Sequence, residues 1–564
     1  MTSNKFIFTI LLGVMMISVS CSEKHEYPLS EEGFNNYTIN FEKKLAPLEN
    51  RNNLAEWNAY ITGQDKYFKE ADEASLQIDA LYQNRKHFAY IKELKEKNLV
   101  KDELLKRQLD VLYYSFLKKQ GNPELNKEIT ELTSEISQKF INFRAEYDGK
   151  TVTDNQITEL LKSEKNLQKR EGAWRAQKEA GKLIAADLQK LVKLRNKMAA
   201  ELGFSNYYEL ALMSKEQDPA DVKHTFEELA ALTDEPFRAV HDEVETVLSK
   251  RFGIAKDELR PWHYEDLFSQ EAPAIYQVNL DTYFKNVDMP SLAENYYRSF
   301  GMDIKPILAA SDLYEKEGKN QHAFSFCMDR GQDIRVLLNI VPNQRWMDTM
   351  MHESGHAVFD KYINTELPYL LRTPAHSFTT EGIAMFFGGM ASNPLWMKQA
   401  LNMNENEIGK IRETIKQSDR LAKMMFARWS LVMKFFEEKM YADPDQDLNK
   451  LWWDLVERYQ YITRPENLNG GEWASKVHLI GYPAYYHNYL LGELFAAQIK
   501  HTVAEEAYDH VDPSEVTFWD NPKAGQLLKD KVFMPGNRWY WNEMIQNATG
   551  EKLTAKYFVA TYIE

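Results

Sequence analysis

From Leu54 to about Lys250 apolar residues recur every three to five positions, as in Leu104, Leu109, Leu112 and Phe116, or in Ile129, Leu132, Ile136 and Phe140. That spacing puts them on one side of a helix, so the stretch predicts successive amphipathic helices packed through apolar seams. Turn chemistry interrupts it at Gly121-Asn122-Pro123, Asp218-Pro219 and Pro261, while Gly203-Phe204-Ser205-Asn206 predicts a helix stop followed by a new cap. Between Gln321 and Pro342 the pattern changes. His322-Ala323-Phe324-Ser325-Phe326 and the run from Ile334 to Val341 are rich in β-branched and aromatic residues and predict strands of a small sheet. Arg345 to Tyr362 then returns to a helical pattern, and no fixed repeat or low-complexity block divides the chain. The expected fold is mainly α, a helical body in two lobes with a small β-sheet close to the helix that begins near Arg345.

The N-terminus reads differently. Lys5 precedes an apolar run from Phe6 to Val19, and Ser18 and Ser20 flank Val19 just before Cys21. The run is shorter than the roughly 20 residues a spanning helix needs, so it predicts a signal peptide over residues 1–21. Small residues ahead of a cysteine predict a lipoprotein-type cleavage with lipidation at Cys21, although Ser18 stands where leucine is usual. Residues 22–45 are polar and predict an irregular tether to a body spanning 46–564. Cys327 is then the single remaining cysteine, and the body must be held by packing without an internal disulfide.

Charge narrows the partners. A formal net charge of -15 over 564 residues excludes a general nucleic-acid binder, which needs a basic footprint, and leaves peptides acceptable. The expected protein is a monomer, exported to the bacterial periplasm or outer membrane and touching the membrane through its lipid anchor alone.

On the helix from Arg345, His352 and His356 stand four residues apart, so both imidazoles project from one face. Two neutral imidazoles and a carboxylate suit zinc and leave a position for water, which Glu353 beside the first histidine reaches as a general base. The bland alternative is an incidental pair on a helix surface. A metzincin arrangement is excluded because Tyr362 occupies the position of its third histidine and Phe359 that of its glycine. Glu381 is the favoured third ligand: it opens an apolar segment, Gly382 to Gly389, that Thr379 or Thr380 would cap, and a carboxylate entering an apolar helix needs a compensating charge. His376 and Glu366 are its rivals. Downstream, the segment from Lys476 to Tyr489 holds four tyrosines and two histidines, with Tyr482, Tyr486 and Tyr489 at helical spacing. Such groups could line a cleft and donate to an oxyanion, or form an aromatic core seam.

These segments together resemble the angiotensin-converting-enzyme family of zinc peptidyl-dipeptidases, with features of the thimet-oligopeptidase family, both helical gluzincins with a deep central channel. The resemblance rests on Gly172-Ala173-Trp174-Arg175, Leu194-Arg195-Asn196, Gly203-Phe204, His322-Ala323, Asp333-Ile334-Arg335, His352-Glu353-Ser354-Gly355-His356, Glu381, Trp452-Trp453 with Tyr459-Gln460, and Lys476-Val477-His478. It implies one Zn2+ per chain and short peptide substrates. It further implies that His322 and His478 contact carbonyls of the scissile region, that Ala323 pairs with substrate backbone and that Tyr489 stabilises the oxyanion. Lys476, with Tyr485 or Tyr486 and Gln270, resembles a cluster that grips a free C-terminal carboxylate two residues beyond the cut. Departures are equally specific. Met385 replaces an aspartate one turn after the zinc glutamate, leaving Asp348 and Asp360 as candidates to orient the histidines, and Asn488 replaces an arginine tied to chloride activation. Gly481-Tyr482 with Tyr486 and Tyr489 is spaced more like the oligopeptidases. The expected activity is release of C-terminal dipeptides; an internally cutting oligopeptidase, a carboxypeptidase and a peptide-binding lipoprotein with a structural zinc are the alternatives.

Overall fold

The structure, a computed structural model, describes residues 25–468 and 470–563; the leader and Cys21 lie outside the described residues. The first helix, Glu31–Thr62, starts where Ser30 accepts a hydrogen bond from the Gly33 N–H and ends at Gly63, whose φ of 65° is left-handed. This corrects the expected tether: residues 31–45 are helical and bury Phe34, Tyr37, Phe41 and Leu45. Those four recur at three- and four-residue spacing among asparagine, glutamate and lysine, so a polar average concealed an amphipathic stripe. With Tyr90, Leu112 and Phe116 they form a core separate from the main one.

Side-chain caps set the helices that follow. Asn122 starts Pro123–Asn142, Asn166 starts Leu167–Glu201, Asn206 starts Tyr207–Met213 and Asp218 starts Pro219–Phe252, each accepting backbone N–H groups of the first turn. The architecture is mainly helical, as expected. Among the described residues two antiparallel hairpins complete it: β1 (Ala145–Tyr147) with β2 (Lys150–Val152), which the sequence pattern did not indicate, and β3 (Phe324–Cys327) with β4 (Ile334–Leu337). The second strand ends sooner than its apolar run because Leu338 and Ile340 donate instead to the carbonyls of Asp312 and Leu313.

The β3–β4 hairpin has a definite polarity. Val336 turns its N–H to Ser311 Oγ at 2.8 Å and its carbonyl to the Asp312 N–H at 3.1 Å, away from β3. In an antiparallel pair its neighbours Arg335 and Leu337 therefore face Phe326 and Phe324, and Ser325 between them faces the outer edge. There its N–H meets the Glu353 carboxylate.

The motif helix, Gln344–Lys361, is capped by Asn343 and anchored by buried Met347, Met350, Met351, Val358 and Phe359. It packs against Ser377–Gly388, which in turn packs against His487–Ala507. Glycines permit this. A Cβ on Gly355 would lie 2.9 Å from Ala384 Cα, and one on Gly382 would lie 2.7 Å from the Gly492 carbonyl oxygen, so the backbones approach more closely than side chains allow. Among the described residues no helix is long and apolar enough to cross a membrane.

Candidate active site

This close crossing brings the two motif histidines to the glutamate. Nε2 of His352 lies 3.7 Å, and Nε2 of His356 3.8 Å, from one carboxylate oxygen of Glu381. One donor atom from each of the three falls within 4.8 Å of the others. A tetrahedral ion with ligand bonds of about 2.0–2.1 Å needs its donors about 3.3 Å apart, so small side-chain adjustments suffice for zinc. Electrostatics agree. Burial pushes the His352 imidazole down to about 4, and burial with the neighbouring His352 ring pushes His356 down to about 3, so both stay neutral and able to ligate. Burial also raises the Glu381 carboxyl. The ring of His356 is held by Thr380, whose Oγ lies 2.7 Å from Nδ1, leaving Nε2 turned toward the donor cluster.

The rival third ligands go elsewhere. Glu366 is exposed. His376 is the N-cap of Ser377–Gly388, where its Nδ1 accepts from the Phe378 N–H at 3.2 Å; this corrects the expected cap at Thr379 or Thr380. Neither Asp348 nor Asp360 hydrogen-bonds a motif imidazole; burial raises these carboxyls to about 6 and about 7. Asp348 lines a cavity of about 610 Å³ that reaches His352, together with Met385, Lys423 and Glu493. The orienting group that sequence reasoning missed is Thr380, and a hydroxyl immediately before Glu381 was its only signal.

Glu353 is buried, and burial followed by the charge of Glu381 lifts its carboxyl to about 8 against the opposing Ser325 N–H. On the far side stands the tyrosine segment. It is not one helix: His478–Gly481 ends, Ala484 takes a φ of 50°, and the chain restarts as His487–Ala507. Pro483 removes a backbone donor just there, so helical spacing was the wrong ruler for these side chains. Tyr486 and Tyr489 still meet at 5.3 Å between ring centres, and His478 lies 4.9 Å from Tyr486 and 6.1 Å from Tyr489. Tyr482 is 61% exposed, with its ring 5.9 Å from His478. Tyr485 and Tyr489 both feel the Glu381 charge, and burial as the larger cause raises each phenol. His478 is pushed down to about 4 by burial and by Lys476, and its Nδ1 is buried without a partner.

Lys476 extends the site away from the motif. Its Nζ donates to Gln270 Oε1, and the rings of Phe268, Trp429 and Tyr486 lie 5.0, 5.2 and 5.4 Å from it. Tyr486, its hydroxyl accepting from Trp429 Nε1 at 2.8 Å, belongs to this box. Tyr485 does not; its ring lies 5.0 Å from Lys215 Nζ and 5.5 Å from Tyr489. The segments that carried the family resemblance are the scaffold here. Trp174 Nε1 holds the Leu267 carbonyl at 3.2 Å, and Gln460 Nε2 holds those of Phe268 and Ser269 at 3.0 and 2.9 Å. Asp266 accepts from the Gln270 N–H at 2.8 Å, and buried Arg195 grips the carbonyls of Leu479 and Ile480 beside His478 at 3.2 and 2.6 Å. His322 is exposed at the approach to β3, its N–H bonded to Asn320 Oδ1 at 2.9 Å, and Ala323 follows it toward the strand. Asn488 accepts from Gln217 Nε2 at 2.7 Å in a buried amide pair.

Comparison with known families gives two matches. The description "Angiotensin-converting enzyme" fits residues 29–264, and "Peptidase family M3" fits residues 160–563, which takes in the His352-Glu353-x-x-His356 helix, Glu381 and the whole tyrosine segment. No curated protein matches the chain. Both families are zinc-dependent gluzincins, and the donor set fits that metal. With the larger match spanning well over half its length, the chain belongs to peptidase family M3 and is a zinc metallopeptidase.

Proposed function

We propose that this metallopeptidase is a peptidyl-dipeptidase that releases C-terminal dipeptides from short peptides. The observation that carries the reading is Lys476. An ammonium in an aromatic box, bonded to one amide oxygen and to no carboxylate among the described residues within ion-pair distance, is under-satisfied. A substrate C-terminal carboxylate supplies the missing charge-assisted bond, and Gln270 and Tyr486 beside it complete the clamp.

The three donors His352, His356 and Glu381 would hold one zinc ion, which when bound polarises the scissile carbonyl and makes a water easier to deprotonate. Glu353 takes the proton from the attacking water and delivers it to the departing amine. Tyr489 and the neutral His478 donate to the oxyanion, where a fixed donor in a dry site is worth most. His322 contacts a substrate carbonyl. The substrate strand runs along the outer edge of β3, where Ala323 pairs with its backbone, and Tyr482 and Tyr485 flank its path.

Matched peptides with free and amidated C-termini test the clamp. The free form should be cut roughly ten- to a hundredfold faster in kcat/KM, the value of one charged hydrogen bond, with dipeptides as the product. Equal turnover of both would assign an internally cutting oligopeptidase instead. The sequence leader further supports export as a lipoprotein anchored through Cys21 at the periplasmic or outer-membrane surface. Replacement Cys21→Ser should release the protein into the soluble fraction; continued membrane association would sink that placement.

A further inference from the structure

We propose that an aromatic shelf formed by Tyr60, Phe68 and Phe324 reads one substrate side chain within two residues of the scissile bond and favours aromatic or bulky apolar groups there. This rests on the peptidase reading and adds a specificity determinant to it. Alternation along β3 sends Phe324 and Phe326 to one face and Ser325 and Cys327 to the other, with Ala323 just before the strand. The phenylalanine face lies on the first helix: Tyr60 stacks on Phe324 with ring centres 5.3 Å apart and planes 29° from parallel, and Phe326 meets Tyr60 at 5.9 Å and Trp57 at 5.6 Å. Phe68, from the helix Asp65–Tyr82, extends this surface 6.4 Å beyond Tyr60 and is 43% exposed. His322 borders it at 6.4 Å from Phe324. Tyr482, from the tyrosine segment, comes close enough to act electrostatically on Tyr60.

Scattered exposed apolar residues need no explanation. These three are contiguous, and they adjoin the β3 edge that faces Glu353. A peptide laid along that edge places each side chain on the same face as the residue opposite it. Its residue opposite Phe324 therefore rests on the shelf, while the neighbours opposite Ala323 and Ser325 point toward the motif helix. Since Ser325 sits at the Glu353 carboxylate, the shelved residue is adjacent to the bond being cut or one removed. Face stacking and burial against three rings favour a phenyl over a methyl group.

The test is a peptide series with one phenylalanine moved stepwise through an alanine background. It is read as kcat/KM on the zinc-loaded wild type and as dissociation constants on zinc-loaded Glu353→Gln, which binds without turnover. One position should favour phenylalanine over alanine by roughly tenfold, and that ratio should fall toward unity in Tyr60→Ala and in Phe68→Ala. The half-exposed Phe68 serves as the variant whose folding is least at risk, and thermal unfolding checks both. A flat series, or a preference that survives both substitutions, overturns the shelf. Binding to Glu353→Gln with the positional preference, in a protein whose wild type cuts nothing, would keep the shelf and sink the peptidase reading. Cleavage without positional preference does the reverse.

Discussion

The hydroxyl of Thr380 lies 2.7 Å from Nδ1 of His356, and Thr380 directly precedes Glu381, so one helical turn supplies one member of the donor cluster and the group that holds the ring of another. An imidazole whose Nδ1–H is engaged presents an unprotonated Nε2 to a metal. Thr380→Val keeps the shape and removes the hydrogen bond. Its zinc affinity should fall about 10- to 100-fold, measured by competition with a chromophoric chelator, and Thr380→Ser should restore it. Equal affinity in all three proteins would make Thr380 a packing residue only.

Glu353 makes a different prediction, because it is not one of the three clustered donors. Glu353→Gln should bind zinc with wild-type stoichiometry and lose about 10²- to 10⁴-fold in kcat, the usual share of a general base. Metal content by mass spectrometry, read beside kcat, separates a lost base from a lost metal. Activity within a few-fold of wild type would remove Glu353 from the chemistry.

How much of this site the sequence disclosed follows the range of the interactions. His352, Glu353 and His356 are legible because they share one helix and a spacing set by 3.6 residues per turn. Glu381 is legible through the cost of placing a carboxylate in an apolar run. Thr380 is legible only as a cap candidate, since its partner is 24 positions away and a hydroxyl carries no spacing rule. The Lys476–Gln270 contact joins positions 206 apart, so only family likeness could pair them. Helical spacing misled at Tyr482, where Pro483 and the left-handed Ala484 break the helix, and a polar average hid the buried stripe of Phe34, Tyr37, Phe41 and Leu45.

Close helix packing gives the third prediction. Gly382→Ala would set a methyl 2.7 Å from the Gly492 carbonyl oxygen and 2.9 Å from the Phe495 ring, and backbone cannot swing aside as a side chain can. The Ser377–Gly388 and His487–Ala507 helices must separate, at about 1–3 kcal/mol. Because Glu381 is the preceding residue, zinc affinity should drop with the melting temperature. An unchanged melting temperature would show that the two helices have room to spare.

The last prediction concerns pH and follows from Lys476. Burial lowers its ammonium to about 8, with Asp266 and Glu271 opposing more weakly. Below that value the ammonium of the proposed clamp is charged and would attract a carboxylate; above it the charge is lost. The sign for catalysis is therefore a fall in kcat/KM as pH rises through about 8, for peptides with a free C-terminus only. Amidated peptides have no carboxylate to lose and should lack this limb, which the comparison isolates from any titration at the zinc cluster. Lys476→Met should flatten the difference and cost free peptides roughly ten- to a hundredfold, the worth of a charged hydrogen bond. The linkage to stability has its own sign. Lysine in the unfolded chain holds its proton to about 10.4, so between about 8 and that value the unfolded state binds more protons and folding gains as pH rises. Stability and turnover of free peptides should thus move in opposite directions over one pH interval, a pattern that a solvent-exposed Lys476 would not produce.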